Sequence, residues 1–289
     1  PLAHVFGRIC VWTTVLSGGT LAFAQSYAHF DEDARAIQPT FFCTVPRLFE
    51  KLHAELTRAE ASQGDLQRLV TRWAQDGEEG GFLSGLRRKV ADTLVYARIR
   101  ERFGPNLRFA VSGGAPLRAE VGRFLDANGL CILEGYGLAE TTAAGCLNRI
   151  DSNRYGTVGT SLKGIELKFA EDGEVLLRGA NISPGYWIPD EPLRPAVDAD
   201  GWLHTGDVGR IDDDGFVSII DRKRNIILTA HGKVVAPVPI AEALRMEPLI
   251  DQAVIYGEGK PFLTALITLD SEGLIQFGLD SGLEATPEE

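Results

Sequence analysis

Apolar positions from Val5 to Leu16 run nearly all round a helical projection, and Thr20 to Ala24 follow a Gly18-Gly19 break. This predicts a helix covered on most sides and then a short buried strand. The aromatic and β-branched run Thr40 to Val45 predicts a strand that stops at Pro46. Helices are predicted over 47–60 and 82–103, separated by a polar, glycine-containing loop. Strands are predicted at Leu107 to Val111 and Leu130 to Leu133, each leading into a glycine-bearing loop, with helical periodicity from Leu117 to Asn128 between them. Strand, helix and strand in that rhythm read as a parallel sheet.

From about Tyr155 the pattern changes to short alternating strands with Gly and Asp turns: Ile165 to Phe169, Glu174 to Arg178 and Phe216 to Ile220. These predict a small antiparallel barrel or sandwich. After Asp221 the basic run Arg222-Lys223-Arg224 leads into apolar Ile226 to Leu228, a Gly-Lys turn, a helix near Pro239 to Met246 and a strand at Thr264 to Leu269. A third unit starts there.

The chain has 289 residues, 44% of them hydrophobic and 24% charged, enough to bury a substantial core. Its net charge of −11 argues against a nucleic-acid backbone as partner. Cys10, Cys43, Cys131 and Cys146 have neither CxxC spacing nor the density of a disulfide scaffold, so reduced cytosolic thiols are expected. Arg8, Thr13, Thr14 and Ser17 argue against a membrane span within Val5 to Ala24. The chain opens at Pro1 without an initiator Met or targeting pattern, and reads as a fragment that starts within a domain.

Three loops and one basic run could carry chemistry. Ser112-Gly113-Gly114-Ala115-Pro116 lets the backbone turn sharply and approach a ligand, although a plain βα turn accounts for it equally well. Glu134 to Thr142 lacks the third glycine of a dinucleotide fingerprint, and Glu140 sits where a pyrophosphate would be repelled. That loop offers instead a flat aromatic for a base, a carboxylate for a hard cation and hydroxyls for phosphate oxygens, which suits a magnesium nucleotide. A half-buried core tyrosine and a helix-start carboxylate explain it too. In Gly201 to Asp207 a carboxylate between turns could accept both hydroxyls of a ribose, and Asp221 to Arg224 offers donors or merely a solvated surface.

Taken in order, PLAHVFGR, SGGAP, GYGLAETT and WLHTGDVGRIDDDGFVSIIDRKR resemble the adenylate-forming superfamily of acyl-CoA synthetases, luciferases and adenylation domains. The resemblance implies an α/β fold in three parts. A parallel-sheet (αβαβα-type) subdomain would occupy residues 1–154, a small antiparallel β-barrel subdomain 155–221, and the start of a mobile α+β C-terminal lid domain 222–289. It implies that Tyr136 stacks on adenine beside Gly114, Ala115 and Pro116, with Gly137 and Thr141 also at the nucleotide. Glu140 would coordinate Mg²⁺, Asp207 and Arg222 would hold the ribose, and His4 would gate the carboxylate. Arg224 would be the hinge about which the lid rotates, and Gly232 and Lys233 would lie by the pantetheine channel.

PTFFCTVPRLFEKL, the long insertion before LRFAVSGGAPL, and GKVVAP are similar to the long-chain branch of the family. The implied reaction activates a long-chain fatty acid with ATP to acyl-AMP and passes it to CoA, releasing AMP and pyrophosphate. The implied setting is cytoplasmic, with peripheral membrane contact compatible with a fatty substrate. The family's phosphate loop and C-terminal lysine are missing from this chain, so the 289 residues alone are expected to be inactive or nearly so. Ala139, Ala241 and Asn225 also depart from the family's Thr, Glu and Asp. An acyl-AMP ligase that loads a carrier protein, or a non-catalytic nucleotide- or acyl-binding relative, are the alternatives.

Overall fold

The computed structural model describes residues 2–26, 29–61, 97–247 and 249–281. Most of the predicted 82–103 helix, and the loop before it, lie outside these residues. Helix α1 (Val5–Leu16) has the predicted bounds and is capped by His4, whose Nδ1 accepts from the Phe6 N–H at 3.2 Å. It is not covered on most sides: Leu16 is 83% exposed, and only Thr14 is buried. Residues 20–24 form no strand and are mostly exposed, contrary to the expectation. An apolar run becomes a strand only when a neighbour takes up its backbone hydrogen bonds, and no described strand does so here.

Helix α2 (Phe30–Ile37) precedes β1 (Phe41–Thr44), which ends just before α3 (Pro46–Ala61). Pro46 opens α3 because its fixed φ suits a first helical turn, where no N–H is needed. Helix α4 (Ala97–Phe103), β2 (Phe109–Ser112), α5 (Ala119–Ala127) and β3 (Ile132–Tyr136) follow. Strands β1, β2 and β3 pair in parallel, with Cys43 opposite Val111 and Val111 opposite Leu133. The short antiparallel strands β4 (Cys146–Leu147) and β5 (Thr160–Ser161) complete a five-stranded sheet in sequential order.

Phe42, Phe49, Leu52, Phe103, Val121 and Ile132 belong to one buried apolar cluster. Phe42 stands at the centre of its aromatic packing, 5.2 Å from Phe30 and 5.3 Å from Phe103. Arg102 fastens the three helices at its rim, reaching Asp31 at 2.6 Å and Glu55 at 2.5 Å. The carboxyl ends of β1 and β2 lie side by side, for the Gly113 N–H donates to the Thr44 carbonyl at 3.2 Å. Ligands of open α/β sheets bind outside such ends.

Strands β6 (Ile165–Phe169), β7 (Glu174–Gly179), β10 (Leu203–Ile211) and β11 (Val217–Arg222) form a second sheet in the order β11-β10-β7-β6. Between them in sequence, β8 (Gly185–Tyr186) and β9 (Arg194–Pro195) make a small hairpin. The expected β-barrel is therefore corrected to an open sheet with β6 and β11 at its edges. Closing a barrel requires the end strands to pair so that the ladder runs around the whole circumference, and β6 and β11 do not pair.

Towards the C-terminus β12 (Ile227–Leu228) pairs with β13 (Val234–Val235), then come α6 (Pro237–Leu244), the β14 (Ile250–Tyr256) and β15 (Thr264–Leu269) hairpin, and α7 (Ser271–Ser281). The chain divides into two compact units. One comprises Pro1–Glu166, Leu177–Leu203 and Ile211–Ser218, and the other Leu167–Leu176, His204–Arg210 and Ile219–Glu289. Among the described residues no helix is long and apolar enough to cross a membrane.

Candidate nucleotide site

In the first unit β3 runs straight into the loop that carries the GYGLAETT string, the signature loop. Tyr136, half-buried, ends the strand, and its carbonyl accepts the Gly145 N–H at 2.9 Å, closing the loop's neck. Residues Ala139–Thr141 form one 3₁₀ turn. Thr141 ties it off: its Oγ1 accepts the Leu138 N–H at 2.8 Å and donates to the Leu138 carbonyl at 3.1 Å. The Thr141 side chain is fully buried, so its hydroxyl works on the loop itself.

Thr142 and Ala143 then take φ of 54° and 66°, a left-handed conformation that costs a residue with a Cβ about 1–2 kcal/mol. Gly137 makes room for that turn, since a Cβ there would stand 2.2 Å from the Ala143 carbonyl oxygen. A segment some forty residues downstream holds the strained turn in place. Asn181 Nδ2 donates to the carbonyls of Thr141 at 2.7 Å and Ala144 at 2.6 Å, and Thr142 Oγ1 donates to the Asn181 carbonyl at 2.9 Å. The Ser183 N–H donates to the Glu140 carbonyl at 2.7 Å, and the Tyr186 hydroxyl donates to Glu140 Oε1 at 2.7 Å.

The Gly114 turn lies in the same unit. Gly114 has φ of +85°, and the ring of Phe6 packs on Gly113, 3.2 Å from where a Cβ would stand. Gly114, Ala115 and Pro116 thus follow β2 beside the start of α1, and exposed His4 is spent partly on capping that helix. The motifs around His4 and Gly113, distant in sequence, meet in this way.

On β10, whose residues His204–Arg210 belong to the second unit, Thr205 and Asp207 point inward, and Asp207 is only 3% exposed. Arg222, the last residue of β11, places its Nε 2.8 Å from Asp207 Oδ1. A buried carboxylate is costly without such a partner. Glu174, also buried, accepts the Gly206 N–H at 2.8 Å, Lys223 Nζ at 3.1 Å and His204 Nδ1 at 3.3 Å. Burial alone would push the Glu174 carboxyl up, but these donors hold it below the ordinary carboxylate range. Lys223 also contacts Asp172 at 2.5 Å.

Gly206, Arg222, Lys223 and Arg224 line an open cleft of about 360 Å³. Arg224 is exposed in the 3₁₀ turn Lys223–Asn225 that leaves β11. Asn225 Nδ2 donates to Asp221 Oδ1 at 3.0 Å, so that departure from the family pattern has a partner. Gly232, at φ of +75°, and exposed Lys233 sit at the tip between β12 and β13. Thr229 Oγ1 accepts the Lys233 N–H at 3.1 Å and closes that tip.

Asn181, Tyr186 and Glu174 carry no motif that marks them in the sequence. The local signal for the first two is a polar asparagine before a Ser-Pro-Gly turn and a tyrosine next to an exposed tryptophan. Among the described residues no cluster of three or more His, Cys, Asp or Glu could hold a metal ion. Glu140 offers a single carboxylate, which fits Mg²⁺, an ion usually held by one or two carboxylates together with substrate phosphates and water.

Glycine-bearing loops at the carboxyl ends of parallel strands, one of them carrying an aromatic and a carboxylate, are the features of an α/β protein with a ligand-binding sheet edge. The AMP-binding enzyme family model matches residues 1–187, and the model of the AMP-binding enzyme C-terminal domain matches residues 224–281. The chain belongs to the AMP-binding enzyme family. It is 41% identical over 280 residues to the long-chain-fatty-acid–CoA ligase FadD15 of Mycobacterium bovis, covering 94% of this chain and 46% of that protein. It is 31% identical over 289 residues to fatty acyl-CoA synthetase A of Dictyostelium discoideum, covering 94% and 43% respectively. Among solved structures, the o-succinylbenzoate CoA synthetase of Bacillus subtilis in complex with its acyl-adenylate intermediate has a TM-score of 0.68 at 18% identity, covering 99% of this chain and 54% of that one. The chain thus spans about half the length of the curated relatives it matches.

Proposed function

We propose that the protein carrying this chain is a long-chain fatty acid–CoA ligase that uses ATP to make acyl-AMP and then transfers the acyl group to CoA. The observation that carries the nucleotide reading is Glu140, presented at the carboxyl end of β3 by a strained loop that Asn181 and Tyr186 brace. The choice of fatty acid and CoA is supported by the names of the relatives at 31–41% identity.

In this reading Tyr136 stacks on the adenine, with Gly114, Ala115, Pro116 and Gly137 letting backbone approach the nucleotide. Asp207 accepts from the ribose hydroxyls and Arg222 fixes its carboxylate. Glu140 would hold Mg²⁺, which when bound offsets negative charge on the phosphoryl oxygens. Thr141 serves the nucleotide through the loop it closes. His4 lines the path of the carboxylate, Arg224 is the hinge, and Gly232 and Lys233 border the route of the CoA thiol. The parts are then residues 1–154, 155–221 and 222–289, the last acting as the lid. The proposed setting is the cytoplasm, with contact at a membrane surface where fatty acid is drawn.

The test is to supply C12 to C18 acids, ATP, Mg²⁺ and CoA to the 289-residue chain and to the contiguous reading frame that contains it, and to analyse products by mass spectrometry. Acyl-CoA, AMP and pyrophosphate in equal amounts are expected from the longer form. Acylation of a carrier protein in place of CoA identifies the alternative acceptor, and nucleotide binding without turnover identifies a binding relative.

A further inference from the structure

We propose that Tyr186 is a positioning residue for the metal-binding carboxylate, so that the β8–β9 hairpin and not only the signature loop sets the affinity for the divalent cation. The inference rests on the reading of Glu140 as the cation's ligand.

Two independent contacts fix the Tyr186 side chain. In the hairpin register Tyr186 stands opposite Arg194, and the Arg194 guanidinium lies over its ring at 4.9 Å. Its hydroxyl donates to Glu140 Oε1 at 2.7 Å, which leaves Oε2 and the remaining lone pairs of the carboxylate for a cation. The same short segment also grips the loop backbone through Ser183 N–H on the Glu140 carbonyl. Main chain and carboxylate of one residue are therefore both held by residues 183–186. A glutamate has rotatable bonds that a cation must otherwise freeze, so a neighbour that presets them raises affinity.

The contact predicts a specific energetic signature. Partners that orient a metal-binding side chain are worth roughly tenfold or more in metal affinity. Tyr186 is 37% exposed and phenylalanine keeps its ring, so Tyr186→Phe removes the hydroxyl without disturbing a core. The experiment is Mn²⁺ binding to the full-length protein with ATP, followed by electron paramagnetic resonance, for the unsubstituted protein, Tyr186→Phe, Glu140→Gln and the double variant. AMP binding without metal is measured alongside.

The expected result is about tenfold weaker Mn²⁺ binding in Tyr186→Phe, with AMP affinity and melting temperature unchanged, and no further loss when the substitution is added to Glu140→Gln. Weakened binding in Glu140→Gln with none in Tyr186→Phe overturns the positioning role alone. So does an equal loss from Tyr186→Phe in both backgrounds. If the unsubstituted protein fails to bind Mn²⁺, or Glu140→Gln binds it normally, the metal reading of Glu140 falls and takes the proposal with it.

Discussion

Arg222 Nε lies 2.8 Å from Asp207 Oδ1, an exposed guanidinium fastened to a carboxylate whose side chain is 5% exposed. Removing the arginine takes the charged partner from Asp207 Oδ1 and, in the proposed reading, loosens the carboxylate that meets the ribose. Arg222→Ala is expected to lower stability by about 1–3 kcal/mol and to weaken AMP binding roughly tenfold or more. Arg222→Lys keeps the charge but loses the planar fork, and should fall between the two. Thermal melts and calorimetric AMP titrations check both. An Arg222→Ala protein that binds AMP normally contradicts the ribose role.

Gly137 and Gly114 should respond differently to alanine. At Gly137 the new Cβ would meet the Ala143 carbonyl oxygen at 2.2 Å, a clash with backbone that no rotamer relieves. Gly137→Ala is expected to destabilise by about 1–3 kcal/mol and to misplace Glu140. At Gly114 the nearest atom is Val45 Cγ1 at 3.9 Å, so the cost is that of φ at +85°, about 1–2 kcal/mol. Cation binding measured beside the melts separates them, with the larger loss expected at Gly137.

Asn181 faces two carbonyls with its amide N–H₂, while among the described residues its Oδ1 has no hydrogen-bond partner. Asn181→Ala should cost about 1–3 kcal/mol, because the Ala144 carbonyl loses its Asn181 donor while the Thr141 carbonyl keeps only the Ala144 N–H at 3.1 Å. Asn181→Asp should be worse than alanine at neutral pH, because it turns a carboxylate oxygen towards those carbonyls. Denaturant titration of the pair decides this, and an aspartate variant more stable than the alanine one contradicts the assigned geometry.

Glu174 gives a pH signature. Its carboxyl lies below the ordinary range in the folded protein, so the stability it contributes is fully present above the unfolded value of about 4.3 and is lost as pH falls through the lower folded value. Glu174→Gln should melt lower than the parent at pH 7, and the gap should shrink as the pH is taken below about 4. A gap that stays constant with pH would mean that the charge on Glu174 is irrelevant to the fold.

Elements with a plain apolar period are legible in the sequence alone: Val5–Leu16, Ile165–Phe169 and Thr264–Leu269 all have their expected bounds. Strand β10 is not, because two of its inward positions are Thr205 and Asp207, and an inward carboxylate looks like a turn until its arginine is found. Strand β14 carries Asp251 and Gln252 at a shift in register, and α2 is a short acidic helix with a single buried residue. The site divides in the same way. Tyr136 and Glu140 stand in a recognisable string, whereas Asn181, Tyr186 and Glu174 act through contacts across tens of residues, which no local pattern encodes.

The ligase reading stands or falls on fatty-acid-dependent ATP–pyrophosphate exchange by the contiguous full-length protein and its Glu140→Gln variant. Exchange should require a long-chain acid and fall by roughly 100-fold or more in the variant. Exchange that proceeds without fatty acid, or that is untouched by the loss of the Glu140 charge, would contradict that reading.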